Sequence, residues 1–319
     1  MADLLLALLS LLFPSLDEDP AHPPPSGPPI VFAAIPDPSP ARGPQCGNPG
    51  DPELFTIAPN GVGLRRLTQN RRHESDPSWS PGRRRIVFSA SAPLRRDPTF
   101  DRDLYVMRRR GGDIRRVTRG PGQDGAAVWS PDGETIAFVR QFPDRPGVSS
   151  SNDKRALMVV GADGTGLRRL TPPRRFVGYL SPAWSPDGGR LAVTLADGRT
   201  SKLVVRDEAG DERALVADRR KELSLPDWSP DGRRLVFSSF RTVDAIERVR
   251  VDGSGRRDLT SHAFIQWARS PAWSPSGRRI AFSGIGDGCL AHVFRMTARG
   301  TRHTDLLAGR DLEVYSLDW

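Results

Sequence analysis

One phrase recurs along this chain. Trp-Ser-Pro, a glycine-containing turn and an apolar run stand at 76-DPSWSPGRRRIVFS-89, 126-AAVWSPDGETIAFV-139, 181-SPAWSPDGGRLAVTL-195, 226-PDWSPDGRRLVFSS-239 and 271-PAWSPSGRRIAFSG-284, and the sequence ends on 315-YSLDW-319. The tryptophans Trp79, Trp129, Trp184, Trp228, Trp273 and Trp319 follow one another at intervals of 50, 55, 44, 45 and 46 residues. A nearly fixed period of this size is the mark of a repeat architecture, in which each period is one supersecondary unit. An enzyme has little use for six copies of one catalytic loop, whereas a set of similar blades needs the same turn in each. The repeated tryptophans are therefore read as frame.

The copy over residues 156–195 shows what the frame is. Residues 156–160, ALMVV, form a short β-branched strand, and Ala162-Asp163-Gly164 is a turn. Leu167 to Leu170 are expected to form a second strand, and Pro182 to Ser185 a third that ends on the tryptophan. Ser185-Pro186-Asp187-Gly188 then turns tightly: proline presets φ and glycine supplies a left-handed residue. Residues 190–195 alternate as a half-buried strand does. Four antiparallel strands per period of about 45 residues are the size of a propeller blade. The last copy stops at Trp319, and 30-IVFAAI-35 matches the strand it lacks. Pairing of the two termini would remove an open sheet edge. The expected fold is an all-β, six-bladed propeller over residues 29–319.

Ahead of it, residues 1–16 hold the apolar run Leu4 to Phe13, too short to span a bilayer but of the length of a signal-peptide core. Residues 17–28 are acidic and proline-rich and read as a linker. Two cysteines exclude a zinc ribbon or a disulfide-rich scaffold. Cys46 and Cys289 fall in equivalent loops of neighbouring blades, so a disulfide between them would staple the closure and would need an oxidising compartment. The net charge of +9 comes almost wholly from arginine. The arginines stand in doublets at repeated positions, such as Arg115-Arg116 and Arg168-Arg169. That spreads them over all the units and argues against nucleic acid as the partner.

The strand 103-DLYVM-107 or 156-ALMVV-160, then GADGTGLRRLT, then PAWSPDGGRLAVT resembles the repeat of the TolB-type propellers. Similar repeats occur in the propeller domains of prolyl-oligopeptidase-like and tricorn-like proteases. The resemblance covers residues 29–319. It implies a periplasmic setting and protein partners bound at the mouth of a central channel. A protease activity is not expected, because no G-x-S-x-G elbow is present. Phosphate-binding glycine loops and H-E-x-x-H zinc spacing are absent as well.

Function is sought in the segments before each tryptophan strand, which differ between copies while the frame does not. At nearly the same offset stand Glu74, Asp124, Tyr179, Glu222, Trp267 and Glu313. They read as a ring of carboxylates with two aromatics at the channel mouth, beside the long loops 90–102 and 140–155. Trp267 is the one tryptophan outside the repeated position and has the character of a binding hot spot. His73, next to Glu74, has neighbours that suit a divalent cation, but one histidine does not make a site. His262, His292 and His303 are read as surface histidines. No catalytic residue and no cofactor are assigned. The expectation is an exported, monomeric, non-catalytic module without a membrane span, binding a protein or cell-envelope polymer at the mouth. Two alternatives stand beside it: a metal-assisted glycan lyase or hydrolase using carboxylates at the same mouth, and a polyanion binder working through its arginines.

Overall fold

The computed structural model describes residues 27–36, 51–91, 102–120, 122–143, 153–173, 178–196, 199–240, 244–260, 264–287 and 290–319. Cys46, Cys289, His262 and most of the two long loops lie outside them. The described chain is all strand and turn, and it contains no helix long and apolar enough to cross a membrane.

The first sheet unit joins both ends of the chain: β1 (Ile30–Pro36), β2 (Glu53–Ile57) and β3 (Arg65–Arg66), with the final strand β24 (Leu312–Asp318) paired antiparallel to β1. Next come β4 (Glu74–Trp79), β5 (Arg85–Ser91), β6 (Arg102–Arg108) and β7 (Arg115–Arg116). They share one eight-stranded sheet with β8 (Gln123–Trp129), β9 (Thr135–Phe142), β10 (Lys154–Gly161) and β11 (Arg168–Arg169), through a parallel pairing of Arg102 with Gln123. Three four-stranded meanders follow. The first is β12 (Gly178–Trp184), β13 (Arg190–Ala196), β14 (Ser201–Asp207) and β15 (Glu212–Asp218). The second is β16 (Glu222–Trp228), β17 (Arg234–Phe240), β18 (Ala245–Arg250) and β19 (Arg257–Asp258). The third is β20 (Gln266–Trp273), β21 (Arg279–Ile285), β22 (Ala291–Thr297) and β23 (Thr304–Asp305). The strands that lead into the tryptophans pack on one another in succession, β4 on β8, then β12, β16, β20 and β24, and β24 also packs on β4.

The turn after Trp129, Trp184 and Trp228 is a closed hydrogen-bond set. Gly188 N–H donates to the Ser185 carbonyl at 2.9 Å, and Gly188 sits at φ 76°. The Ser185 hydroxyl donates to Asp187 and accepts the Arg190 N–H at 3.0 Å. Ser130 with Asp132, and Ser229 with Asp231, repeat the arrangement. Serine hydrogen bonding is the main cause that holds the Asp187 and Asp231 carboxyls below the usual range. Each of these residue types is thus used inside its own turn.

The cores lie between sheets. Trp228, Leu235 and Phe237 of one unit pack on Ala192, Leu203 and Val205 of the unit before, and Trp129, Ile136 and Phe138 pack on Val87, Leu104 and Val106. The second strand of each unit is consequently covered on both faces. β13 reads buried from Leu191 through Thr194, where half-burial with alternation was expected from the sequence. A strand sandwiched between two cores loses the alternation of a one-sided sheet. Phe32, Phe88, Phe138, Phe237 and Phe282 fill this position in five units and are fully buried. Each such side chain contributes about 1.5–3 kcal/mol. The expected strand over Leu167 to Leu170 shrinks to Arg168–Arg169, with Leu167 exposed, because only these two residues pair with β10.

Arginines tie neighbouring units together. Arg65 donates to the Arg110 carbonyl at 3.3 Å, and Arg115 to the Ala162 and Asp163 carbonyls at 2.7 and 2.6 Å. Arg206 reaches Leu170, Arg213 reaches Val251, Arg248 reaches Ala298, and Arg295 reaches Pro59 beside β2. The turn glycines share this interface. Gly300, at φ 80°, lies so close to Leu259 that a Cβ would stand 2.7 Å from its carbonyl oxygen.

Candidate functional site

The tryptophan strands have two ends. At the tryptophan end they enclose a cavity of about 310 Å³, lined by residues of all of them. A bulge precedes each of the tryptophans in β4, β8, β12, β16 and β20 and places Asp76, Ala126, Ser181, Leu225 and Ser270 at φ between 46° and 52°. The bulges turn backbone N–H groups toward the unit before. Asp76 N–H donates to Ser316 Oγ at 3.0 Å, and Ala126 N–H to Asp76 Oδ2 at 3.3 Å. Trp79 N–H donates to Asp318 Oδ2 at 2.7 Å, and Trp273 N–H to Asp227 Oδ2 at 2.6 Å. Burial pushes the Asp227 carboxyl up to about 7; the N–H of Trp273 opposes the shift and the charge of Asp318 adds to it. Sequence reasoning missed these three carboxylates. The signal was present for two of them: Asp227 and Asp318 precede tryptophans where the other copies carry serine, valine or alanine.

The sequence-derived candidates stand at the other end. They occupy the first two positions of the tryptophan strands rather than the loops before them, because pairing with the second strand extends that far: Glu74 opposes Ala90, Asp124 opposes Arg140, Tyr179 opposes Leu195, and Glu222 opposes Phe240. The geometry divides them. Glu74 is buried and accepts hydrogen bonds from Thr68 Oγ1 at 2.5 Å and Asn70 Nδ2 at 2.8 Å. Burial pushes its carboxyl up against those two bonds. Asp124 is buried in a bidentate pair with Arg140, at 2.6 and 2.7 Å. Both are used internally. The Thr68 partner belongs to a further repeat: Thr118, Thr171 and Thr260 likewise accept a strand N–H from Leu104, Leu157 and Ile246.

Glu222 and Trp267 face outward. Glu222 is exposed and has no partner among the described residues. Trp267 is 58% exposed and sits at φ 55°. It falls in a bulge between Gln266 and Arg269, and that backbone region costs a bulky residue strain. Its indole is held by Arg269, whose guanidinium lies 5.2 Å from the Trp267 ring centre and 4.8 Å from that of Phe240. Asp244 anchors the same guanidinium at 2.7 Å. Phe264, three residues before Trp267, is 95% exposed. Glu313 is half-buried near Tyr315, whose hydroxyl is pushed up to about 12 by burial, with Glu313 adding.

His73 is half-buried, and its Nδ1 has no hydrogen-bond partner among the described residues. Burial and the positive charge of Arg102 lower its pKa, so the ring is neutral at pH 7. His292 Nδ1 lies 2.8 Å from Asp305, and His303 stands edge-on to Phe282. Among the described residues no cluster of three or more His, Cys, Asp or Glu is arranged to hold a metal ion.

Known proteins share this architecture. A 62-residue segment is 42% identical to the Tol-Pal system protein TolB of Thioalkalivibrio sulfidiphilus. It spans 19% of this chain and only 14% of that relative, so the chain matches a small part of the curated protein. TolB of Acinetobacter baumannii superposes with a TM-score of 0.73 at 17% identity, over 98% of this chain and 70% of that one. Hydrazine synthase of Kuenenia stuttgartiensis superposes with a TM-score of 0.70 at 14% identity, over 91% of this chain and 46% of that one. At these identities the superpositions speak for the fold. The TolB beta propeller domain family matches residues 144–312, just over half of the chain. Taken with the repeated tryptophan strands, that match means that this chain belongs to the TolB beta-propeller domain family.

Proposed function

We propose that the four-stranded units are the six blades of one closed ring, and that the ring is an exported, non-catalytic binding module. It engages a protein partner in the cell envelope at the end where the tryptophan strands begin. The observation that carries this is Trp267: a large aromatic, exposed, in a strained backbone conformation and braced by Arg269. An exposed aromatic held in place by its surroundings loses little entropy on binding, which is the character of a hot spot. The pairing of β24 with β1 and the arginine tie from Arg295 to Pro59 support the closed ring. The Tol-Pal system named for the relative supports an envelope protein as the partner class. Binding is favoured over a reaction at this end because Glu74 and Asp124 already have internal partners.

The test is cross-linked capture from the host envelope fraction, with residues 29–319 as bait, wild type beside Trp267→Ala. A discrete partner held by wild type and lost in the variant is the expected result. Equal capture by both would remove the reading.

A further inference from the structure

The same end of the molecule carries a second cavity, a cleft of about 540 Å³. It lies where the unit β12–β15 meets the unit β16–β19, and β20 contributes one wall through Arg269. Five cations line it: Arg199, Arg219, Arg220, Lys221 and Arg269. Two carboxylates, Asp218 and Glu222, face them.

Internal ion pairs account for part of this charge. Asp218 Oδ1 accepts the N–H groups of Arg220 and Lys221 at 2.8 and 3.0 Å, while its Oδ2 takes Arg256 at 2.9 Å. Lys221 Nζ sits 2.8 Å from Glu247, and Arg269 is on Asp244. Those bonds brace the backbone of the turn between β15 and β16. The two side chains at its tip, Arg219 and Arg220, are exposed and have no ion-pair partner among the described residues. Two guanidinium groups on a fixed turn, without an internal counter-charge, are a ready site for external carboxylates.

The rest of the cleft narrows the class of ligand. Glu222, unpartnered on the same wall, opposes a polymer of uniformly dense negative charge but can accept an N–H from a peptide backbone. Arg269 bridges from the cleft to the exposed Trp267 ring, with Phe264 close by in sequence. A ligand for both features carries carboxylates, amide N–H groups and an apolar side chain. We propose that this cleft receives an acidic peptide segment of a protein partner, its carboxylates on Arg219 and Arg220 and an apolar side chain on Trp267. The proposal rests on the binding-module reading above and names the chemistry of its partner.

The experiment selects random dodecapeptides displayed on phage against the folded full chain. Enriched peptides are then titrated calorimetrically against wild type, the double reversal Arg219→Glu with Arg220→Glu, the milder Arg219→Gln with Arg220→Gln, and Trp267→Ala. Far-UV circular dichroism and the urea midpoint check that each variant is folded. Enriched peptides should combine Asp or Glu with an aromatic or aliphatic residue. The double reversal should weaken them about tenfold or more, and the Gln pair by less. Changing the peptide's own carboxylates to amides should produce a comparable loss, and added salt should weaken the wild-type complex.

Peptides without acidic residues, or acidic peptides indifferent to both arginine variants, would overturn the cleft proposal. So would polygalacturonate, the acidic-glycan probe, binding with arginine dependence where no acidic peptide does. Loss on Trp267→Ala with no change in the arginine variants would retain the binding module and remove the cleft. Peptides that bind every variant alike would remove both.

Discussion

The two ends of each tryptophan strand have the same neighbours and different fates. At the tryptophan end the bulged backbone repeats from strand to strand, and at two interfaces a carboxylate, Asp318 or Asp227, meets a tryptophan N–H of the next unit. At the opening end, six positions at nearly one offset diverge. Glu74 and Asp124 are buried with partners, whereas Glu222 and Trp267 point to solvent. Position within the frame is therefore a poor guide to role at this end. Whether a strand-end carboxylate is free depends on whether a neighbour such as Arg140 or Thr68 reaches it.

The contrast can be broken most sharply at Asp124. If it is an internal anchor, Asp124→Ala leaves Arg140 buried and uncompensated and should cost about 3 kcal/mol in urea unfolding. Loss of partner binding at unchanged stability would move Asp124 to the functional group instead. Gly300→Ala probes the frame between units. A Cβ there meets the Leu259 carbonyl at 2.7 Å and Cα at 3.0 Å, at a φ of 80°, so a loss of about 2 kcal/mol is expected in the same assay.

Asp227 gives a pH signature for the tryptophan end. Its folded carboxyl, pushed up to about 7, compares with about 3.9 in an unfolded chain. Between these values the unfolded state releases a proton that the folded state retains, so this group makes stability fall as pH rises from about 4 to about 7, with no further change above. The side chain keeps some contact with cavity solvent, which tempers the size. Asp227→Asn, whose amide oxygen can still accept the Trp273 N–H, should be more stable than wild type by about 1–2 kcal/mol at pH 8 and equal to it at pH 4. Chemical denaturation at the two pH values checks this.

The smallest stability effect is expected at Trp267. Trp267→Gly relieves a left-handed φ and gives up one cation–π contact, each worth about 1 kcal/mol, so the urea midpoint should scarcely move. Partner capture should nonetheless disappear. A large destabilisation would reassign Trp267 to the frame.

Local chemistry accounts for what could be read early. The Ser-Pro-Asp-Gly turn closes on its own atoms, and the run after it has the length of one strand, so each copy announces a strand, a turn and a strand. The LT of RRLT recurs too, but its role is set across strands: the threonine accepts the N–H of a residue fourteen positions earlier, as Thr68 does for Leu54. The arginine doublets looked like surface charge. Two of their members, Arg65 and Arg115, end on carbonyls of a neighbouring unit, Arg110 for the first and Ala162 and Asp163 for the second.

The sequence by itself determined an all-β repeat of short strands and tight turns, because those depend on residues within a few positions of each other. It also marked where the copies differ. Tertiary structure alone decided which differing residues are free. Glu74 and Glu222 are the same residue at the same strand position, yet one meets Thr68 and Asn70 while the other meets water. A carboxylate keeps its charge available only where the fold brings no donor to it, and those donors come from elsewhere in the chain.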